Sequence, residues 1–333
     1  MTFLEYIWIG GNDELRSKVK YTKETGEITI KDIPEWNYDG SSTNQAIGGD
    51  SEVIIKPKSI YKNPFSDGIL ILCDTYLPNG EPHKTNTRII AERIFNEYIV
   101  EEEQPLFGIE HEFFVIDNST NKPIGFPIFI DPKPQGPYYC SVGTGNCFGR
   151  DFLYEALDKC INAGINCTGC NLEVCPGQME IQICSEGIKA ADDSIMFKYI
   201  INRLSETYNY IIDFSAKPVK GDWNGSGCHV NFSTNTMREE GGYDTIIKSI
   251  EKLKHKHQEH IEIYGDDNIE RLTGKHETSD MNTFTYGVAN RGASIRIPNT
   301  TFTNKCGYFE DRRPSSSADM YLVTSKIFKT CIE

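Results

Sequence analysis

The chain has 333 residues, 38% hydrophobic and 25% charged, a composition that excludes wholesale disorder and suits a protein of more than one domain. Its net charge of −14 argues against a nucleic-acid partner, because phosphate binding requires a basic surface. No apolar run approaches the roughly 20 residues that cross a bilayer, and the N-terminus has neither a signal-peptide nor a transit-peptide pattern. We therefore predict a cytoplasmic protein without a membrane partner.

Short β-branched and aromatic runs, separated by Gly, Asn, Asp and Pro, dominate the first hundred residues. They predict five strands, in FLEYIWI, LRSKVKYT, EITIKDI, SEVIIKP and GILILCDTYL. A helix is predicted over residues 87–103, where isoleucines recur at helical spacing. Several strands followed by one helix indicate a small β-rich domain that ends near the acidic run EYIVEEEQP.

The rest of the chain alternates between strands and long helices. Strands are predicted in PLFGIEHEFFVID, NLEV and QMEIQI, and helices in GRDFLYEALDKCINAG and over residues 188–214 and 243–264. The Pro- and Gly-rich stretch 123–149 predicts a long irregular segment, and long ordered loops are often functional. We predict an α+β protein with domains at residues 1–104 and 105–333.

The chain contains 11 cysteines, an odd number that favours free thiols over a disulfide framework. The segment CTGCNLEVC (167–175) includes a CxxC pair, but a zinc site needs further ligands at suitable spacing, and none is obvious. Free thiols are therefore the favoured interpretation, and a metal or redox role for the pair stays open.

Two strand segments place carboxylates on one face. Glu110 and Glu112 in FGIEHEF are two residues apart, so that their side chains share a face of a strand. Glu180 in QMEIQI shares a face with Gln182 in the same way, and Glu173 precedes that strand. A solvent-facing strand also explains each of these patterns taken alone.

Two further segments bring an imidazole and a carboxylate. His229 lies in the glycine-rich run GDWNGSGCHVNFS, where glycine permits a close approach of the backbone to another group. Glu310 lies in GYFEDRRP, a mixed charge cluster that surface ion pairing also explains. A lone histidine is likewise often structural.

Taken together, five carboxylates and one imidazole suit Mg²⁺ or Mn²⁺. Arginines suit phosphate and carboxylate, and phosphoryl transfer requires both kinds of group. The chain has neither a Walker A motif nor a kinase signature, so we expect metals to hold the nucleotide. The candidate arginines are Arg271, Arg291, Arg296 and Arg312.

Seven motifs resemble those of the eukaryotic-type (class II) glutamine synthetases, in consistent order from about Tyr6 to Cys331. They are WNYDGSST (36–43), FGIEHEF (107–113), PQGPYYC (134–140), NGSGCHVNFST (224–234), RLTGKHET (271–278), GVANRGASIRIP (287–298) and GYFEDRRP (307–314). The resemblance implies ATP-dependent ligation of ammonia to the γ-carboxylate of L-glutamate, through γ-glutamyl phosphate, to give L-glutamine, ADP and phosphate. Two positions where relatives often carry Trp hold Leu106 and Met179, and Leu106 is expected near the adenine pocket.

By this resemblance, two or three Mg²⁺ or Mn²⁺ ions bind in each site, and ATP is the cosubstrate. One cation is expected on Glu112, Glu173 and Glu180, and a second on Glu110, His229 and Glu310. The first helps to bind glutamate and ammonia, whereas the second bridges the ATP phosphates.

The resemblance also implies residues for the substrates. ATP contacts are expected from Glu110, Glu180, Asn231, Ser233, Arg291, Arg296 and Tyr308. Substrate contacts are expected from Trp223, Asn224, Gly225, Arg271, Arg291 and Arg312, with Arg271 on the glutamate α-carboxylate. The catalytic residues implied are Asp39, Glu277, Arg291 and Arg312, with Asp39 accepting a proton from ammonium and Glu277 helping to close the site.

The fold implied is an N-terminal β-grasp domain followed by a catalytic domain with an antiparallel sheet and helices. The resemblance further implies homo-oligomeric pentameric rings, stacked as a decamer, in which a neighbouring subunit supplies Asp39. Two alternatives stay open: a ligase for a larger amine, such as a γ-glutamyl-polyamine synthetase, and a non-catalytic relative. Asp39 and Glu277 favour ammonium, and the presence of all six metal ligands favours catalysis.

Overall fold

The computed structural model describes residues 2–23, 26, 28–98, 100–127, 129 and 132–333. The chain divides into two compact units. The first comprises Met1–Arg93 and Lys159–Ile165, and the second comprises Ile94–Asp158 and Asn166–Glu333.

The first unit is built on a five-stranded sheet in the order β2-β1-β5-β4-β3, in which only the β1–β5 pair is parallel. Its strands are β1 (Thr2–Ile9), β2 (Leu15–Thr22), β3 (Trp36–Asp39), β4 (Glu52–Lys62) and β5 (Gly68–Tyr76). Such a mixed sheet agrees with the predicted β-grasp domain. Short 3-10 helices span Ile30–Asp32 and Gly40–Thr43.

One face of this sheet carries the core of the first unit. Leu4, Tyr6 and Trp8 alternate along β1, so that their side chains share this face, where they pack with Tyr38 and Ile55. The rings of Trp8 and Tyr38 stack with centroids 4.4 Å apart. This packing fixes β3, the strand that ends at Asp39.

The second unit contains a nine-stranded sheet and most of the helices. Its strands are β6 (Leu106–Asp117), β7 (Lys122–Pro123), β8 (Cys167–Leu172), β9 (Gln178–Glu186), β10 (Tyr210–Asp213), β11 (Cys228–Ser233), β12 (Tyr286–Val288), β13 (Ile295–Ile297) and β14 (Phe309–Asp311). The helices of the chain are α1 (Arg88–Glu97), α2 (Val100–Glu103), α3 (Arg150–Ala163), α4 (Lys189–Tyr208), α5 (Asn235–Arg238), α6 (Tyr243–His255), α7 (His257–Ile261), α8 (Asn299–Asn304) and α9 (Met320–Ile332), with a 3-10 helix at Asn268–Glu270.

Strand β6 lies at the centre of this sheet, between β11 and β9, in the order β12-β13-β14-β11-β6-β9-β8. Its Ile109, His111 and Phe113 are fully buried. The His111 ring stacks on Phe197 of α4, with centroids 4.8 Å apart. The opposite face of β6 therefore carries Glu110 and Glu112, as the alternation predicted.

The α+β class predicted from the sequence is confirmed, but several predicted elements differ from those observed, including the helix over residues 87–103, which is divided into α1 and α2. In the described part of EITIKDI, a 3-10 turn replaces the strand, because Asp32 accepts hydrogen bonds from the Thr29 N–H (2.9 Å) and hydroxyl (2.6 Å). The helix predicted over residues 188–214 ends at Tyr208, since Asn209 adopts a left-handed conformation (φ 56°), and the chain continues as β10.

The predicted helix over residues 243–264 is divided into α6 and α7 at Lys256, whose conformation (φ −102°, ψ 20°) is not helical. Among the described residues, none of the helices combines the length and the apolar character that a membrane crossing requires.

Candidate active site

Strand register brings five of the six predicted metal ligands together on the larger sheet, and the sixth, Glu173, directly follows β8. In the β6–β9 pair Glu112 lies opposite Glu180, and in the β6–β11 pair Glu110 lies opposite His229. Directly opposed residues in antiparallel strands have their Cβ atoms about 5 Å apart. Glu310 on β14 joins them because β14 pairs with β11, the strand of His229.

Two groups of three ligand atoms result. Glu112, Glu173 and Glu180, which we name the carboxylate cluster, each place one oxygen within 4.8 Å of the others. Glu110, His229 and Glu310, the mixed cluster, meet the same distance limit. This division matches the two sets that the sequence resemblance implied.

The carboxylate cluster concentrates negative charge in a buried place. Burial and the nearby Glu112 and Glu180 raise the pKa of Glu173 well above its usual range. Burial, together with Glu110 and Glu112, raises the pKa of Glu180 to about 8, and burial raises that of Glu112 to about 7. A divalent cation would relieve this crowding, because oxygen ligands in such a set suit Mg²⁺ or Mn²⁺.

Neighbouring polar groups orient Glu112. Its Oε2 accepts hydrogen bonds from the Gly227 N–H (2.8 Å) and from Gln178 Nε2 (3.0 Å). The same Gln178 nitrogen donates to the Gly225 carbonyl at 3.0 Å. These contacts fix the carboxylate in the orientation that the cluster requires.

In the mixed cluster the charge is balanced differently. Burial and the nearby Arg312 hold the pKa of His229 well below its usual range, so that the imidazole is neutral, as a metal ligand must be. His229 Nδ1 lies 3.2 Å from Glu110 Oε2 and 3.6 Å from Glu310 Oε1. Glu310 forms ion pairs with Arg296 and, at 2.5 Å, with Arg312. The negative charge of Glu310 is therefore balanced by these two arginines.

Both clusters border one cavity of about 480 Å³, which we name the central cavity. Five of the six ligands line it, and Glu310, which is fully buried, contacts Arg296 and Arg312 in its wall. Other predicted site residues also line it: Asn224, Gly225, Arg271, Glu277, Arg291, Arg296 and Arg312. Carboxylate-held cations and four arginines around one space suit the transfer of a phosphoryl group.

Arg271 is deeply embedded in this wall. Its guanidinium donates to the carbonyls of Arg312 (2.8 Å) and Arg313 (3.2 Å), and burial lowers its pKa to about 10. A Cβ added to Gly225 would lie 2.8 Å from Arg271 Cγ, and one added to Gly227 would lie 2.7 Å from Nη2. Glycine is thus required at both positions for the backbone to approach this arginine.

Comparison with known proteins identifies the family. Residues 84–248 match the family model described as "Glutamine synthetase, catalytic domain". The chain is 52% identical to a glutamine synthetase cytosolic isozyme of Medicago sativa and 50% identical to one of Pinus sylvestris, over 98% of this chain and 93% of each relative. The glutamine synthetase root isozyme 3 of Zea mays is 51% identical over the same shares. The chain belongs to the glutamine synthetase family.

Members of the glutamine synthetase family are glutamate–ammonia ligases, so the enzyme class predicted from the sequence is confirmed. The cytosolic isozymes among these relatives support the predicted cytoplasmic location. The CxxC pair does not take part in the ligand clusters found in the described part of the chain, and Cys167 and Cys170 are free thiols.

A second, more apolar cavity of about 430 Å³ adjoins the same strands, and we name it the side cavity. It shares Glu110, Gln182 and Arg296 with the central cavity. Predicted nucleotide residues line it: Asn231, Ser233 and Tyr308. Asn231 donates to Glu110 Oε1 at 2.9 Å, and Ser233 Oγ accepts from Arg238 at 2.9 Å. Leu106 also lines the side cavity.

Two predicted residues line neither the central cavity nor the side cavity. Trp223 is buried in a core cluster with Phe114, Tyr138 and Cys175, and it borders a neighbouring cavity instead. Asp39 belongs to the first unit, where its exposed carboxylate accepts hydrogen bonds from the Ser41 hydroxyl (2.6 Å) and the Ser42 hydroxyl (2.9 Å). These bonds, that of Ser41 first, lower the pKa of Asp39.

Several residues that line the cavities or contact a predicted ligand were not singled out from the sequence. Gln178 orients Glu112 through a hydrogen bond. It lies two residues before Glu180 on β9, so strand alternation places Gln178 and Glu180 on the same face and could have identified it. Cys184 in the side cavity lies on β9, two residues after Gln182, and follows the same alternation. Arg238 in the side cavity and His276 in the central cavity lie outside the strands and carry no such signal.

Proposed function

We propose that the chain transfers the γ-phosphoryl group of ATP to the γ-carboxylate of L-glutamate and then replaces the phosphate with ammonia. The observation that carries this proposal is the pair of ligand clusters on one sheet face, bordering a cavity with four arginines. A carboxylate is a poor electrophile, and phosphorylation converts its oxygen into a leaving group.

The carboxylate cluster and the mixed cluster would each hold a divalent cation, Mg²⁺ or Mn²⁺, and a third cation could bind near Glu110 and Glu310. When bound, such cations neutralise the phosphates and stabilise the charge that develops during transfer. The donor set fits them, because it consists of crowded carboxylates and one neutral imidazole.

The arginines bind and orient the reacting groups. Arg271 would bind the α-carboxylate of glutamate, beside Asn224 and Gly225. Arg312, held by Glu310 at 2.5 Å, would contact the γ-carboxylate as it becomes an acyl phosphate. Arg291 and Arg296 would contact the ATP phosphates, because fixed cations stabilise transferred phosphoryl groups without reorganisation.

The side cavity would hold the nucleotide base. Its wall is less polar than that of the central cavity and includes Leu106, Ser233 and Tyr308. Its shared residues Glu110 and Arg296 connect it to the phosphate region. ATP would therefore extend from the side cavity into the central one.

Ammonium must lose a proton before it can attack the acyl phosphate. Asp39 would accept this proton, and its hydrogen bonds from Ser41 and Ser42 keep it ionised for that purpose. Glu277 would help to exclude water, which would otherwise hydrolyse the intermediate.

Asp39 would come from a neighbouring subunit of a pentameric ring, and two rings would form a decamer. This assembly makes an isolated subunit inactive. Light scattering coupled to size-exclusion chromatography tests it, and an active monomer would contradict the shared site.

We also propose residues 1–104 and 105–333 as the two domains.

The function is tested by incubating the protein with ATP, glutamate and ammonium, with Mg²⁺ or with a chelator. We expect glutamine and phosphate in equal amounts with Mg²⁺, and neither with the chelator. Replacement of ammonium by putrescine separates this activity from ligation of a larger amine. Preference for putrescine over ammonium would contradict the proposal.

Asp39→Ala tests the proton-accepting role. We expect a loss of at least about tenfold with ammonium and a smaller loss with hydroxylamine, which is already nucleophilic at neutral pH. Equal losses with both amines would remove Asp39 from proton transfer.

A further inference from the structure

The loop that joins Thr273 to Asp280 forms part of the central cavity wall. The bridge between these two residues closes the base of the loop, and His276 and Glu277 lie at its tip. Both tip residues have positive φ, 53° and 60°, a conformation that side chains rarely adopt twice in succession. Such strained residues persist only where surrounding contacts hold them.

Two segments distant in sequence supply those contacts. His276 Nε2 lies 3.2 Å from Asp222 Oδ1, and His276 Nδ1 lies 3.4 Å from Gln135 Nε2. Gln135 Nε2 also donates to Asn224 Oδ1 (3.0 Å) and to the Asp222 carbonyl (3.2 Å). One neutral tautomer suits both imidazole contacts, with Nε2–H donating to Asp222 and Nδ1 accepting a Gln135 N–H that is shared with another acceptor.

The position of His276 makes these contacts relevant to the reaction. His276, Gly225 and Arg271 line both the central cavity and an outer cavity of about 520 Å³, which also contacts Lys217, Asp222 and Lys275. His276 therefore forms part of the partition between the two spaces. Movement of its ring would open a route for water from the outer cavity.

We propose that Gln135, Asp222 and His276 form a latch that holds the 273–280 loop closed while the acyl phosphate exists. The latch residues are positioning residues, and the inference rests on the proposed function. Without the latch, the oxygen of a water molecule bonds to the γ-carbon, the bond from that carbon to the phosphoryl oxygen breaks, and inorganic phosphate leaves. Glutamate is regenerated and ATP is consumed without forming glutamine.

A contact with the reacting end of the site supports this role. Arg312 Nη2 donates to the Glu277 carbonyl at 3.3 Å, so the arginine proposed for the γ-carboxylate also contacts the loop tip. The side chain of Asp222 is 75% exposed, and an exposed contact of this kind, even between charged groups, contributes little to folding stability. Loss of the Asp222 carboxylate should therefore release the loop and leave the fold intact.

The test compares phosphate released with glutamine formed, at saturating ammonium and with Mg²⁺. The variants are Asp222→Ala, Gln135→Ala, and Asp222→Asn, which keeps an oxygen acceptor for the His276 Nε2–H. Glu259→Ala is the matched control, because Glu259 is also exposed and forms an ion pair, with Lys326 at 2.5 Å. We expect a ratio of phosphate released to glutamine formed near one for the wild type, Asp222→Asn and Glu259→Ala.

Without ammonium, we expect Asp222→Ala and Gln135→Ala to release at least about threefold more glutamate-dependent phosphate than the wild type. With ammonium, we expect both variants to release clearly more phosphate than the glutamine they form. A ratio of one in both variants, including one accompanied by a slower overall rate, would overturn the latch. A wild-type protein that forms no glutamine would overturn the proposed function instead.

Discussion

The two ligand clusters lie on the same sheet face, yet they differ in how their charge is balanced. The charged groups that act on Glu173 and Glu180 in the carboxylate cluster are other carboxylates. In the mixed cluster, Arg296 and Arg312 pair with Glu310, and the third ligand is a neutral imidazole. In the carboxylate cluster only Glu112 has arginines close enough to lower its pKa, Arg271 and Arg312, and burial outweighs them. In the mixed cluster, arginines pair directly with a ligand.

This difference predicts an order of binding. A cation at the carboxylate cluster relieves repulsion among buried carboxylates, so it should bind without nucleotide. A cation at the mixed cluster competes with two arginines for Glu310, and phosphate oxygens of ATP would complete its ligand set. We therefore expect the second cation to bind with the nucleotide.

The largest effect is expected from removing the residue that joins the mixed cluster to the arginines. Glu310→Ala should reduce kcat by more than about 100-fold, because both the cation and the orientation of Arg312 depend on this carboxylate. Steady-state glutamine formation measures it, with Glu259→Ala as a control for loss of an ion pair. Retention of more than about a tenth of kcat, a change below about 1.4 kcal/mol, would contradict the assignment.

The comparison is sharpened by one substitution in each cluster. Glu173→Gln should weaken nucleotide-free Mn²⁺ binding by more than about tenfold, or about 1.4 kcal/mol, because it removes one of three charged ligands. Glu310→Gln should leave that first binding event within about threefold of wild type. Isothermal titration calorimetry measures the Mn²⁺ affinity of both variants. Equal losses of affinity in the two variants would contradict the predicted order of binding.

A smaller effect is expected from Gln178, which touches Glu112 but is not itself a proposed ligand. Gln178→Met keeps the volume and removes the 3.0 Å hydrogen bond, so nucleotide-free Mn²⁺ affinity should fall by about tenfold. The Gly227 N–H still holds Glu112, which limits the loss. An unchanged affinity in the same calorimetric titration would show that Gln178 does not orient the carboxylate.

The smallest effect concerns pH. In cation-free protein the folded-state pKa values of Glu112 and Glu180, about 7 and about 8, lie above their ordinary value of 4.5. The stability they contribute is therefore present below pH 4.5 and is lost as pH rises through 7 to 8. Adding Mg²⁺ should raise Tm more at pH 8 than at pH 6, because protons compete with the cation at the lower pH.

Differential scanning fluorimetry measures this difference, and Glu180→Gln is the control that should reduce it. An equal rise in Tm at both pH values would contradict the charge imbalance of the carboxylate cluster.

The sequence predicted the parts of the site that depend on strand alternation. Glu110 and Glu112 share a face for that reason, and so do Glu180 and Gln182. The proximity of His229 and Glu310 depends instead on how β11 pairs with β6 and β14 pairs with β11, and periodicity within one strand does not determine its register against a neighbour. Their assignment to clusters came from the family resemblance.

The errors in the fold have local causes. Asn209 ends α4 by adopting a left-handed conformation, although apolar residues continue beyond it at positions that helical spacing also allows. The latch was not predicted, because Gln135, Asp222 and His276 are polar loop residues whose meeting depends on tertiary structure alone.

The proposed reaction requires ATP to phosphorylate a glutamate carboxylate in this site. Glutamate labelled with ¹⁸O in its γ-carboxylate tests this step, with ATP, ammonium and Mg²⁺ present. We expect one labelled oxygen per glutamine formed to appear in inorganic phosphate, since the carboxylate oxygen leaves with the phosphoryl group. Unlabelled phosphate alongside newly formed glutamine would contradict it.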